Sequence, residues 1–178
     1  LLMRVLLLIP PMTQLNTPYP ATAYLTGFLR SRGRDVTQAD PAIELVCRLF
    51  SERGLSRIHE ELCGTDMSTL PSVLSYFLEN FHRYKTAVDA AVRFLQGRDA
   101  SLASRIASRK FLPEGPVFQR AISSLENNDY LDFAFGTIGV QDRAKYFASL
   151  FIDELAEVVR LGIDDRFALS RYAEKLAA

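Results

Sequence analysis

The chain has 178 residues, of which 48% are hydrophobic and 24% are charged, as is typical of globular proteins. Its 21 Lys and Arg residues balance its 21 Asp and Glu residues, so the composition gives no support for a nucleic-acid-binding protein or for attachment to an anionic membrane. The only two cysteines, Cys47 and Cys63, are too few for a zinc site or a disulfide framework, which favours a reduced, cytoplasmic setting.

The first forty residues predict one strand–helix–strand unit. Residues 3–9 form an apolar run that is too short to cross a bilayer, which needs about 20 apolar residues, and they predict a buried strand. Residues 21–31 predict a helix that ends at Gly33, and residues 35–40 predict a second strand. The first strand has no polar alternation, so we expect other elements to cover both of its faces. Because no later segment reads as a third strand, the sequence predicts an incomplete sheet that belongs to a longer polypeptide.

Helical periodicity replaces this pattern from Pro41 onward. Asp40 and Pro41 predict the start of a helix over residues 42–50, which Gly54 is expected to end before a short helix over residues 56–62. Further helices are predicted over residues 68–81, 86–95, 101–108, 117–125 and 140–161. Gly97 is expected to end the second of these, and Gly162 is expected to be a left-handed cap on the last of them. Asp164 or Asp165 is expected to cap a final helix, whose apolar face carries Phe167, Ala168, Tyr172 and Leu176. Residues 110–116 predict a loop, and residues 129–138 have no clear assignment. The predicted fold class is therefore mainly α with a short N-terminal βαβ unit: an incomplete Rossmann-like α/β element over residues 1–40, then a helical module over residues 41–178.

The loop over residues 10–20 is the strongest candidate site. Ligands of open parallel sheets bind beyond the carboxyl ends of the strands, which is where this loop lies. It carries polar side chains and the rigid aromatic Tyr19, but it has neither a dinucleotide-binding glycine motif nor a phosphate-binding loop. The alternative is a stiff crossover loop that packs only on protein.

Other polar groups predict structure rather than chemistry. His59 is expected on a solvated helix face, His82 is expected to be a half-buried structural residue, and Cys47 is expected to act as a small core hydrophobe. In the pairs Glu60-Glu61 and Asp164-Asp165, the two side chains point in different directions from a helix and do not converge on one substrate. The basic cluster of Arg105, Arg109 and Lys110 is explained by the favourable charge–dipole interaction at a helix carboxyl end. The sequence therefore predicts no catalytic residue and no metal ligand.

Several features of the first forty residues resemble the start of cobalamin-binding radical S-adenosylmethionine proteins. They are the run from Arg4 through the Pro10-Pro11 step, the pair Tyr19-Pro20, the leucine-rich helix that ends at Gly33, and the strand that starts at Asp35. The family's N-terminal domain opens with a strand, a Pro-Pro step, a loop, a helix ended by glycine and a second strand. The helical module resembles an insertion found in one subgroup of such proteins.

The resemblance implies a function for the whole polypeptide. In the family, the α/β domain holds cobalamin at the carboxyl edge of its sheet, and a following barrel binds S-adenosylmethionine and a 4Fe-4S cluster through a CxxxCxxC motif. The positions that match the family's opening pattern, and that the resemblance implies contact the cofactor, are Pro10, Pro11, Tyr19 and Pro20. This chain has neither CxxxCxxC nor the DxHxxG motif that supplies a histidine to cobalt.

We therefore expect this chain to form part of the cobalamin-binding domain and a helical cover of such an enzyme, without catalysing a reaction alone. Its expected partner is the remainder of its own polypeptide, with no nucleic acid and no membrane. On its own, the chain is expected to bury its N-terminal strand by forming a homodimer or by packing that strand on its own helices. The alternative is a helical protein-interaction module that binds no cofactor.

Overall fold

The computed structural model describes residues 4–9, 20–64, 70–126 and 139–169. Within these ranges the protein is mainly helical, with one two-stranded parallel sheet at its N-terminus. In chain order the elements are β1 (Arg4–Leu8), α1 (Pro20–Ser31), β2 (Asp35–Ala39), α2 (Pro41–Leu49), α3 (Glu52–Leu62), α4 (Ser72–Glu79), α5 (Phe81–Leu95), a 3-10 turn (Ala100–Leu102), α6 (Ala103–Ala107), α7 (Pro116–Glu126) and α8 (Val140–Gly162).

The N-terminal strand–helix–strand unit is confirmed. β1 and β2 pair in parallel, with a register that runs from Arg4 opposite Asp35 to Leu8 opposite Ala39. The turn after α1 passes through Gly33, whose φ of 69° is a left-handed conformation that glycine adopts without steric cost. The glycine that the sequence places after the helix therefore reverses the chain into β2.

Only one face of this sheet is covered by the described residues. Val5 lies opposite Val36, which is 4% exposed, and both belong to the face on which α1 packs. On the opposite face, Leu6 is 58% exposed and Leu8 is 54% exposed. The expectation that other elements cover both faces of β1 is therefore not met within the ranges that the structure describes.

The main hydrophobic core is built by the helices from α2 onward. Helix α8 runs through it, and the apolar stripe that the sequence predicts for this helix is buried along its length. The stripe consists of Ala144, Phe147, Ala148, Phe151, Leu155, Val158 and Val159. Val36 and Ile9 are also buried but do not belong to this core cluster.

The corner between α2 and α3 confirms one predicted cap and corrects a helix boundary. The carboxylate of Asp40 accepts hydrogen bonds from the backbone N–H groups of Ala42 and Ile43, so Asp40 caps α2 as predicted. Gly54 does not end that helix, because it lies inside the first turn of α3. The boundary is set by Ser51, whose Oγ accepts a hydrogen bond from the Gly54 N–H and so starts a new helix three residues earlier.

The break between α4 and α5 also differs from the prediction. It falls at Asn80, so α5 starts at Phe81 rather than near residue 86. The Asn80 side chain donates a hydrogen bond to the carbonyl of Tyr76, and such local bonds compete with the helical pattern. The predicted stop at Gly97 is confirmed, with φ of 74°.

The end of α8 corrects two further predictions. Gly162 is the last helical residue and not a left-handed cap, and its lack of a Cβ lets Leu62 of α3 approach closely. The predicted last helix does not begin at Phe167, because the Asp164 carboxylate accepts a bond from the Arg166 N–H and its carbonyl accepts one from the Phe167 N–H. This pattern makes a turn, and residues 167–169 are not helical.

Some predictions fall outside the described residues. These are the loop residues Pro10, Pro11 and Tyr19, the segment over residues 129–138, and Tyr172 and Leu176 of the predicted last helix. Within the described ranges, none of the helices combines the length and the apolar character needed to span a bilayer.

Candidate functional site

The sequence analysis predicts a ligand site at the carboxyl edge of the β1–β2 sheet. The two strands are parallel, so both end at this edge, where the Ile9 N–H donates a hydrogen bond to the carbonyl of Ala39. Thr26 of α1 contacts Gln38, while Arg30, one turn later, donates to the carbonyl of Val36. Helix α1 therefore runs antiparallel to β2, which puts its first turn at the carboxyl edge.

This edge offers backbone donors and few free side chains among the described residues. The Asp40 carboxylate is already engaged in capping α2. Pro20 is exposed and opens α1, whose first turn has no acidic residue. The first N–H groups of a helix have no acceptor within it, so they can meet a polar ligand. Of the four cofactor-binding residues predicted from the resemblance, only Pro20 belongs to the described ranges, and it lies at this edge.

The two histidines differ from their predicted environments. The His59 ring stacks on Phe81 with ring centroids 3.9 Å apart, and its Nδ1 lies 3.3 Å from Sγ of Cys63. His59 is therefore half-buried and not on a solvated face, because α5 packs against α3 at this point. His82 is exposed and not half-buried. Tyr84 faces the core, and a residue two positions earlier points away by about 200° around a helix.

The surroundings of Cys47 disfavour a reactive thiol. Cys47 is half-buried, with its Sγ 3.6 Å from Nε2 of Gln96. Burial raises the pKa of the Cys47 thiol, although nearby Arg98 and the contact with Gln96 oppose this effect. A raised pKa disfavours the thiolate, which is the nucleophilic form. Within the described ranges, no three His, Cys, Asp or Glu side chains come together as a metal site.

A buried acid that the sequence analysis did not single out joins α7 to α8. Glu154 of α8 is 0% exposed, and its Oε2 accepts a hydrogen bond of 2.9 Å from the backbone N–H of Phe118. The Val117 N–H also favours the charged form of this carboxylate. Gly115 and Pro116, which open α7, provide no capping side chain. Glu154 therefore acts as the N-cap of α7 from a different helix.

Tyr84 completes this buried cluster, which we call the Glu154 cluster (Tyr84, Gly115 and Glu154). Tyr84 Oη and Glu154 Oε1 are both buried and have no hydrogen-bond partner among the described residues. A Cβ on Gly115 would overlap Glu154 Oε1 and lie 2.7 Å from Tyr84 Oη. Burial raises the pKa of Tyr84 far above its ordinary value, and the negative charge of Glu154 adds to the effect. Glycine is therefore required at position 115 for steric reasons.

The Glu154 cluster is structural and not catalytic. Its tyrosine and its glutamate are both 0% exposed, so no substrate can reach either group. The sequence does contain a signal for it: Glu154 lies three residues after Phe151 and four before Val158, in line with the apolar face of α8. An acid in that position must find hydrogen-bond donors inside the protein.

We predict a specific pH dependence of stability from Glu154. Burial raises its pKa above the ordinary 4.5, although the backbone N–H groups of Phe118 and Val117 oppose the effect. A carboxyl whose pKa is raised by folding stabilises the folded state fully below its unfolded pKa, and that contribution is lost as the pH rises through its folded pKa. Urea titrations at several pH values across this interval measure the unfolding free energy of the parent protein and of Glu154→Gln. The value for Glu154→Gln minus the value for the parent should increase as the pH rises. A difference that stays constant with pH would contradict the raised pKa.

The predicted basic cluster is divided by the fold. Arg109 pairs with Glu114, with Nη2 2.6 Å from Oε2. Arg105 and Lys110 instead line a groove together with His82 and Arg83 of α5. Arg105 lies in the last turn of α6, where the helix dipole favours a cation. Among the described residues that line the groove, His82 and Arg83 come from the first turn of another helix.

Comparison with known proteins gives no family assignment. Scans of the chain against family models, curated proteins and solved structures each returned no match.

Proposed function

We propose that this chain is the N-terminal part of a cobalamin-dependent radical S-adenosylmethionine enzyme, in which it contributes to the Rossmann-like cofactor-binding domain and supplies a helical cover. The proposal rests on the residues of the first forty positions that resemble this family. In that enzyme, Pro10, Pro11, Tyr19 and Pro20 contact cobalamin, while the iron–sulfur cluster and S-adenosylmethionine bind in a later domain.

The half-covered sheet is the observation that best supports the proposal. Leu6 and Leu8 are exposed on one face of β1, and a parallel sheet normally has both faces covered. Helix α1 also exposes Tyr24, Leu25 and Phe28. Further strands and helices of the same polypeptide would cover these surfaces, as in an open α/β domain, and would extend the carboxyl edge at which Pro20 lies.

The test is to purify the polypeptide that contains this chain after expression with hydroxocobalamin and iron, without oxygen. We expect a bound corrinoid, seen by its visible absorbance, together with iron and sulfide in the ratio of a 4Fe-4S cluster. Tyr19→Ala should lower the amount of corrinoid retained. Pure, folded protein that holds neither corrinoid nor cluster would contradict the proposal.

A matched pair of leucine variants tests whether β1 is covered in the longer polypeptide. Leu8 of β1 and Leu45 of α2 are 54% and 50% exposed, so replacing either by Asp in the 178-residue chain should change the unfolding free energy by about 0.5 kcal/mol or less. In the longer polypeptide, Leu8→Asp should cost about 3 kcal/mol or more, because it places an unpaired carboxylate in an apolar interface. Leu45→Asp serves as the control and should remain mild there.

Sedimentation of the 178-residue chain tests the alternative that a second copy of the chain covers this face of β1. A dimer that Leu8→Asp dissociates and Leu45→Asp does not would show that a second copy covers β1, as in the alternative of an interaction module without cofactor. Equal, mild effects of Leu8→Asp in the chain and in the longer polypeptide would mean that no further strand packs on this face.

A further inference from the structure

A groove between α5 and α6 concentrates positive charge in a chain with no net charge. We call it the α5–α6 basic groove; it is an open groove of about 340 Å3, and its lining includes His82, Arg83, Arg105, Lys110 and Phe111. The basic side chains come from positions 82–83 and 105–110, so the fold itself brings them together. No acidic side chain lines this groove among the described residues.

Glu114, which could neutralise Lys110, is engaged elsewhere. Glu114, the acid nearest in sequence to Lys110, receives bonds from Arg109 Nε and Nη2 to its two oxygens, at 2.9 Å and 2.6 Å. Arg83, Arg105 and Lys110 form no ion pair within the described part of the chain. No acidic side chain among the described residues offsets the mutual repulsion of these cations, and an anion in the groove would relieve it.

Two contacts hold the groove in shape. The Arg105 guanidinium lies 4.6 Å from the centroid of the Phe111 ring, a cation–π contact that limits its freedom. Arg109 adopts φ of 58°, a left-handed conformation that is unfavourable for a residue other than glycine. Its paired bonds to Glu114 stabilise this turn, which places Lys110 on the groove beside Arg105.

Helix electrostatics strengthens the preference for an anion. His82 and Arg83 lie in the first turn of α5, which contains no acidic residue. The positive end of the helix dipole disfavours cations there, so intrahelical charge complementarity does not explain them. An oxyanion in the groove would interact favourably with the dipole and with the basic side chains together.

We propose that the α5–α6 basic groove binds a small, multiply charged anion of the phosphate class. Guanidinium and ammonium groups are the usual protein ligands of phosphate oxygens, by charge-assisted hydrogen bonds. This site is separate from the carboxyl edge of the sheet, and it does not depend on cobalamin binding.

The test uses the full chain and calorimetric titration with inorganic pyrophosphate and with ADP. Both should bind with 1:1 stoichiometry and with affinity that falls as the salt concentration rises. Equal affinities would identify the phosphate groups alone as the ligand, and tighter binding of ADP would identify a nucleoside diphosphate. Either result supports the phosphate class.

Charge-neutral variants locate the site. Arg83→Gln combined with Lys110→Gln should weaken pyrophosphate binding about tenfold, because two exposed cations are lost. Arg93→Gln, an exposed arginine near the other end of α5, should leave binding unchanged and is the matched control. Circular dichroism checks that each variant folds. Absence of pyrophosphate binding, equal affinity in the double variant, or binding only to long polyanions such as RNA would overturn the proposal.

Discussion

Replacing Gly115 by Ala should destabilise the protein by about 2–3 kcal/mol, because the added methyl group enters a packed interior. Its Cβ would overlap the Glu154 carboxylate and press against Tyr84 Oη, which come from two different helices. Neither side chain can move to solvent, since both are 0% exposed. Urea titration should show a lower midpoint with little change in the slope.

Gly27→Ala is the matched control and should have the opposite sign. Gly27 lies inside α1, and apart from its chain neighbours and the backbone of α1 no atom lies within 4 Å of a Cβ built there. Alanine in a helix interior is favoured over glycine by about 0.5–1 kcal/mol, so this variant should be more stable than the parent chain. If the two alanine variants shifted the midpoint alike, the close packing around Gly115 would be wrong.

Replacing Glu154 by Ala should cost about 3 kcal/mol. The change leaves the N–H of the buried Phe118 without an acceptor, which costs about 1–3 kcal/mol, and it opens a cavity where the buried side chain was packed. Glu157→Ala, one turn further along α8, is the control. That change removes an ion pair with Arg160 near the surface and should cost about 0.5 kcal/mol or less.

A second substitution tests the capping role directly. In the Glu154→Ala background, Gly115→Ser should restore about 1 kcal/mol, because a serine at the N-cap can accept the Phe118 N–H bond. The space left by the carboxyl group lets Tyr84 Oη move away from the new Cβ. In the parent chain the same Gly115→Ser change should destabilise. Additive effects of the two substitutions would exclude direct coupling between these positions.

Local signals explain which parts of the fold could be predicted. Asp40 and Pro41 mark the start of α2, Gly33 marks the turn into β2, and the apolar period of α8 marks its buried face. Each of these signals acts within a few residues of the chain. The predicted βαβ unit and the mainly helical remainder therefore agree with the structure.

The wrong predictions depended on competition between neighbours or on distant packing. The boundary between α2 and α3 lies at Ser51 and not at Gly54, because the Ser51 side chain caps α3. The boundary between α4 and α5 lies at Asn80, whose side chain donates a hydrogen bond to the carbonyl of Tyr76. Gly162 serves close packing with Leu62 rather than a turn. Single-sequence patterns do not report such contacts.

The candidate sites also divide into one that local signals predict and others that depend on distant packing. The position of the carboxyl edge follows from the strand–helix–strand order, which the sequence predicts. The α5–α6 basic groove joins residues more than twenty positions apart, and the link from Glu154 to Phe118 spans 36 positions. These combinations depend on how the helices pack, so the sequence reveals their members but not their association.

The cap that α8 supplies to α7 makes the two helices one cooperative unit. A helix capped by its own residue can fray at its first turn while the rest of the domain stays intact. Here the amide proton of Phe118 bonds to a carboxylate carried by another helix. Its hydrogen exchange with solvent therefore requires α7 and α8 to separate, so this amide reports the opening of the helical core rather than local fraying.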